Sequence, residues 1–233
     1  MTAGSSGRTT SDERGPYRGD RPPLVAVLDY GIGNLHSARK ALEKMGADAR
    51  LTADAGLIAE ADGVVLPGVG AFGACMTNLR SHGLEEPALA AVASGRPFLG
   101  ICVGTQMLFD RSEEDPAARG LGILPGSVAW IPPGVKRPQM QWNRLELVLH
   151  DDPMLQWLDG DAWVYFVHSL HGVPDDPTVV AATCEYGGTL NAAFRLRNVF
   201  ATQFHPEKSS VPGLQLLANF VGTCAAARDG VPS

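Results

Sequence analysis

Residues 97–109 read Pro97-Phe98-Leu99-Gly100-Ile101-Cys102-Val103-Gly104-Thr105-Gln106-Met107-Leu108-Phe109. An apolar run from Pro97 to Ile101 meets a cysteine set between Gly100 and Gly104, and Gln106 to Phe109 then read as helical. Glycine on either side of the central residue permits a sharp strand-to-helix turn, the G-x-nucleophile-x-G elbow. Such a turn lifts its side chain to the carboxyl edge of a sheet, where a helix N-terminus favours thiolate over thiol. The pentapeptide alone is equally compatible with a glycine-flanked core cysteine.

The same strand–turn–helix pattern recurs upstream. Leu24 to Tyr30 is a short, nearly continuous apolar run followed by Gly31-Ile32-Gly33-Asn34. Leu35, Ala38, Leu42 and Met45 then recur at helical spacing, with Gly46 where a helix-ending glycine belongs. Gly63 to Leu66 is a second buried-type strand ending in Pro67-Gly68-Val69-Gly70, with helices predicted to about Leu79 and over Leu84–Ala93. Apolar strands alternating with helices make a parallel sheet covered on both faces. Beyond Leu121 the pattern changes: Val128–Ile131, Arg144–Leu149, Ala162–His168, Val179–Tyr186, Thr189–Leu196 and Val199–Phe204 read as strands. Hairpin-turn residues follow two of them, Tyr186-Gly187-Gly188-Thr189 and Arg197-Asn198, and a last helix spans about Gly213–Ala226. The expected architecture is a single α/β domain over residues 23–228. Its sheet is mixed but mostly parallel, flanked by helices, with antiparallel C-terminal strands.

Composition fits that class. Of 233 residues 45% are hydrophobic and 19% charged, enough for one sizeable core. Net charge is −6 and the basic residues are scattered, which argues against a nucleic-acid surface. No apolar run approaches a membrane span. Residues 1–22, rich in Gly, Ser, Thr, Asp and Arg, read as a disordered extension without a secretory core, so a cytoplasmic location is expected. Cys75, Cys102, Cys184 and Cys224 lie far apart with no paired spacing, which indicates neither a zinc site nor a disulfide framework. The Gly31-x-Gly33 turn lacks the third glycine of a dinucleotide fingerprint, because His36 stands there.

Gln203-Phe204-His205-Pro206-Glu207 strengthens the reading of Cys102 as a nucleophile. Extended backbone puts residues i and i+2 on one side, so His205 and Glu207 can lie together. A histidine oriented by a carboxylate is the base half of a nucleophilic triad. Gly68, Val69 and Gly70 end a strand with backbone N–H groups that could face a developing oxyanion, with the amides of Val69 and Val103 as the pair. A tight strand-to-helix turn would need the same glycines.

Gly-Ile-Cys-Val-Gly-Thr-Gln from Gly100 and Gln-Phe-His-Pro-Glu-Lys-Ser from Gln203 together resemble class I glutamine amidotransferases. Four further stretches are similar to one branch, the glutaminase (HisH) subunits of imidazole glycerol phosphate synthase: Asp29–Asn34, Pro67–Gly73, Tyr165–Ser169 and Lys208–Ser210. The resemblance covers the chain from about Leu24 to the last helix. It implies a flavodoxin-like core and a Cys102–His205–Glu207 triad that hydrolyses L-glutamine with no metal or organic cofactor. It implies a heterodimer with the (βα)8-barrel cyclase HisF, to which ammonia is channelled for histidine biosynthesis. Gln106 matches a glutamine-binding position, though an exposed helix residue would also fit. Lys208 matches an interface lysine near the ammonia exit, and Asn34 either faces the partner or simply caps a helix.

The chain departs from the family's usual pattern at four places. Pro138-Gln139-Met140-Gln141-Trp142-Asn143 stands for P-H-M-G-W-N, Leu170 for a tyrosine, and Thr105 for a methionine. A glutamine at position 141 would be strained if the family glycine uses positive φ, and the loop would then be reshaped. These departures bear on partner coupling more than on glutamine chemistry. They leave open a glutaminase serving a pyridoxal phosphate, anthranilate or nucleotide pathway, or a diverged non-catalytic regulatory subunit.

Overall fold

The computed structural model describes residue 17 and residues 20–33, 35–158 and 161–230. The expected extension over residues 1–22 therefore lies largely outside the described residues. Tyr17 is described, and its N–H donates to the Met45 carbonyl at 2.9 Å.

The first half alternates as expected: β1 (Leu24–Leu28), α1 (Leu35–Lys44), β2 (Asp48–Thr52), α2 (Ala55–Glu60), β3 (Gly63–Gly68), α3 (Phe72–Ser81), α4 (Glu85–Ala93), β4 (Phe98–Cys102) and a single turn, α5 (Val103–Gln106). The second half is mostly strand: β5 (Phe109–Ser112), β6 (Leu124–Trp130), β7 (Gln139–Arg144), β8 (Glu146–Leu147), β9 (Trp163–His168), β10 (Leu170–Pro174), β11 (Val180–Glu185), β12 (Thr189–Leu196) and β13 (Val199–Thr202). It closes with α6 (Ser210–Arg228).

Eight strands form one sheet in the order β2-β1-β3-β4-β13-β12-β11-β8. The pairings from β2 through β13 are parallel and those of β12, β11 and β8 antiparallel. Every residue of β3 and β4 is buried, as strands covered on both faces must be. The expected fold class is therefore the observed one. Two smaller sheets, β10-β6-β5 and β7-β9, stand beside the main one. Among the described residues no helix is long and apolar enough to cross a membrane.

Several elements escaped the apolar pattern. β2 is an edge strand, Asp-Ala-Arg-Leu-Thr, whose Arg50–Asp48 pair faces water, so its composition gives no buried-strand signal. α2 is short and begins on an Asp54 cap, whose side chain accepts from Gly56 N at 2.7 Å and Leu57 N at 3.0 Å. The helix expected through Phe109 stops after one turn, and Phe109 already belongs to β5. So short a helix has little macrodipole to offer Cys102. Gln141 causes no strain: it lies in β7 opposite Phe166 in an unbroken register and is not among the residues with positive φ. Position 141 needs no glycine because the segment is a strand here, not a turn.

Candidate active site

β4 ends at Cys102, whose φ of 56° and ψ of −114° place a non-glycine residue in backbone space that favours glycine. That is the strained strand-to-helix elbow expected from the sequence. Its neighbours explain how it is held. A Cβ on Gly104 would lie 1.9 Å from the Leu66 carbonyl oxygen, and one on Gly68 would lie 2.2 Å from Gly104 N. The end of β3 and the elbow thus pass backbone against backbone. The Thr105 hydroxyl donates to the Thr202 carbonyl at 2.7 Å, tying the elbow to β13, the strand that leads to His205. The residue that departs from the family at position 105 is a satisfied buried donor.

His205 N–H donates to the Tyr165 carbonyl at 3.1 Å, and the Ser209 hydroxyl donates to the His205 carbonyl at 2.6 Å. His205 Nδ1 lies 2.8 Å from Glu207 Oε1, with both side chains only 4% exposed. Extended spacing does not bring them together. His205 is extended, but Glu207 sits in a short 3-10 turn, Pro206–Lys208, that folds the carboxylate back under the ring. Burial opposes a charge on His205. Hydrogen bonds and charge from Cys102 and Glu207 outweigh it and raise the pKa to about 9.

These residues open on a cavity of about 270 Å³ lined by Val69, Gly70, Cys102, Val103, Gln106, Glu114, Pro138, Val167–Leu170 and His205. Of the residues singled out in the sequence, Gly68 lies behind the wall and Glu207 behind the ring. Lys208 is exposed on the 3-10 turn and does not line the cavity, and Asn34 lies outside the described residues. Gln106 is not an exposed helix residue: it is 3% exposed, and its Nε2 donates to the Leu170 carbonyl at 3.2 Å and to Gln203 Oε1 at 3.1 Å.

Four contributors were not read from sequence. Gln203 Nε2 donates to Cys102 Sγ at 4.0 Å. The Tyr30 hydroxyl donates to the Pro67 carbonyl at 2.5 Å, and the Cys75 thiol to the Val69 carbonyl at 3.2 Å, so both hold the strand end facing Cys102. His168 is the fourth. Gln203, His168 and Tyr30 lie inside motifs already noted, whereas Cys75 carries no local signal.

The chain matches the model of the class-I glutamine amidotransferase family over residues 26–224. It is 53% identical to the imidazole glycerol phosphate synthase subunit HisH of Synechococcus elongatus, covering 88% of this chain and 96% of that one. It is 50% identical to the HisH of Syntrophotalea carbinolica, covering 84% and 98%. The chain belongs to the class-I glutamine amidotransferases, in their HisH family. A solved glutamine amidotransferase, 22% identical, superposes with a TM-score of 0.69 over 86% of this chain and 98% of that one, and so shares the fold.

Two buried histidines of this glutamine amidotransferase give opposite pH dependences. Burial pushes the His168 pKa from 6.5 down to about 4; the Leu170 carbonyl opposes this and His171 and His205 add to it. The folded state holds that ring neutral, so its contribution is complete above pH 6.5 and about 3 kcal/mol of it is lost as pH falls towards 4. The His205 pKa is raised, so its contribution is present below pH 6.5 and lost as pH rises through about 9. Denaturant unfolding across that range should show stability passing through a maximum near pH 6.5. In His168→Gln the acid-side loss should shrink; an unchanged acid limb would rule out a neutral His168.

Proposed function

We propose that the chain is the glutaminase subunit of imidazole glycerol phosphate synthase and hydrolyses L-glutamine at Cys102. The observation that most supports this is a buried His205 bonded to Glu207 and opening, with the Cys102 thiol, on one cavity. His205, protonated at neutral pH because its pKa is raised to about 9, holds the proton given up by the Cys102 thiol while the sulfur attacks the side-chain amide carbon, and passes it to the departing ammonia. The resulting γ-glutamyl thioester is then opened by water, whose proton goes to His205, giving glutamate and free Cys102. Glu207 holds the ring and stabilises its cationic form. Val69 and Val103, with amides beside the cavity, are the candidates to bind the oxyanion, and Gln106 is a candidate to shape the glutamine site.

The partner reading rests on a surface. On the β7–β9 ribbon Met140, Trp142 and Trp163 face outward at 61%, 44% and 50% exposure, and Trp142 packs edge-on to Tyr165 at 6.0 Å. An apolar aromatic face of this kind marks an association site. It adjoins the cavity, because Val167 at the end of the ribbon is also a cavity residue. Here the cyclase HisF would dock and receive ammonia; Lys208 and Asn34 are interface candidates on the family resemblance alone.

Purified protein mixed with the cyclase from the same genome should release glutamate far faster when partner and nucleotide ligand are both present. A glutamine-like electrophile such as diazo-oxo-norleucine should label Cys102. Hydrolysis that never responds to the partner would overturn the histidine-pathway assignment, and an unlabelled Cys102 would overturn the nucleophile.

A further inference from the structure

Gln139 is fully buried at the start of β7, on the ribbon face opposite Met140 and Trp142. Its side-chain amide oxygen lies 2.9 Å from His168 Nε2, and His168 Nδ1 lies 2.8 Å from the Leu170 carbonyl oxygen. A carbonyl only accepts, so Nδ1 carries a hydrogen and donates to it. His168 is neutral at physiological pH, with its pKa pushed to about 4 chiefly by burial, so Nε2 is bare and needs a donor. With Oε1 towards Nε2, two acceptors would face each other and the Gln139 nitrogen would be buried with no partner.

Turning the amide by 180° removes the clash between acceptors. Gln139 Nε2 then donates to the ring. Its oxygen turns to Cys184, whose buried thiol contacts this side chain and keeps its proton because burial pushes its pKa up to about 12. The Leu170 carbonyl takes a second donor from Gln106 Nε2 at 3.2 Å, and Gln106 in turn donates to Gln203, which reaches Cys102 Sγ. A chain of buried hydrogen bonds therefore runs from Gln139 to the elbow.

We infer that Gln139 is a positioning residue of the cleft: its amide holds His168 in the Nδ1–H tautomer, which fixes the Leu170 carbonyl that anchors Gln106. This rests on the glutaminase reading of the cleft. Gln139 touches no substrate; it acts through His168 on the Ser169–Leu170 wall. An isolated imidazole has no such lock, and without the donor the ring is free to carry its hydrogen on Nε2 and release Leu170.

Two-bond proton–nitrogen correlation spectra of histidine-labelled protein read the tautomer directly. Wild type should show His168 protonated at Nδ1 and bare at Nε2. Gln139→Met, of similar length but without hydrogen bonds, should lose that signature and raise KM for glutamine about tenfold while kcat stays within about twofold. Gln139→His, which can again donate to Nε2, should restore the tautomer and most of the KM. A wild-type ring protonated at Nε2 overturns the inference without any variant, as does Gln139→Met with unchanged ring signals and KM. Wild type that hydrolyses no glutamine with its partner defeats the glutaminase reading instead, and the tautomer is still measured.

Discussion

Cys102→Ala is expected to abolish glutamine hydrolysis, by at least about 10⁴-fold in kcat, while the protein remains folded. No neighbouring group can replace the thiol as nucleophile, because the acyl transfer needs an atom that can form and release a covalent bond to carbon. Cys102→Gly carries the argument further. At φ 56° and ψ −114° the cysteine occupies a mirror-image region that glycine enters freely and other residues enter at a cost of about 1–3 kcal/mol. Glycine loses some of that gain through its freer unfolded state, so a net stabilisation of about 1 kcal/mol is expected, or roughly 2–4 °C in the melting midpoint. An inactive variant that melts higher than wild type is the mark of a residue kept for chemistry. Thermal unfolding and steady-state hydrolysis measured on one preparation decide it; a glycine variant that melts lower would contradict the strained elbow.

Gly104→Ala should have the opposite profile, a large loss of stability from one methyl group. The added Cβ would lie 1.9 Å from the Leu66 carbonyl oxygen and 3.0 Å from the Pro67 carbonyl carbon, both backbone atoms of a fully buried strand. Neither can rotate away, so β3 and the elbow must separate. The expected cost is about 3 kcal/mol or more, roughly 6–12 °C in melting midpoint, with activity falling as Val69 moves from Cys102. Gly33→Ala is the matched control: nothing lies within 4 Å of its would-be Cβ, and stability should stay within about 0.5 kcal/mol. A Gly104→Ala protein that melts with wild type would show that the close backbone approach does not exist.

Much of the fold could be read locally. β1, β3 and β4 announce themselves because strands buried on both faces are apolar throughout, and α1 because its buried residues recur at helical spacing. β2, β7 and β10 could not be read so. β2 has a solvent edge, β7 is the polar run Gln139–Arg144, and β10 carries His171, Gly172 and Pro174; each is a strand because of what it pairs with. Cys102, His205 and Glu207 were each legible because their motifs are contiguous. How His205 meets Glu207 was not, since a 3-10 turn replaced the extended spacing. Gln141 shows the same limit from the other side: position 141 invites a turn only until β9 pairs with it.

By itself the sequence determined the alternation of strands and helices, the glycine-flanked cysteine and the histidine–carboxylate pair. Those depend on periodicity and on neighbours a few residues apart. Only the tertiary structure decided that Gln106 is buried against Leu170, 64 residues away, and Gln203, 97 residues away. It alone set Tyr30 and Cys75 on the strand facing Cys102, and Gln139 on His168. Hydrogen bonds between distant segments leave no periodic trace in either one. They exist because a buried polar group must find a partner wherever the packed chain brings one.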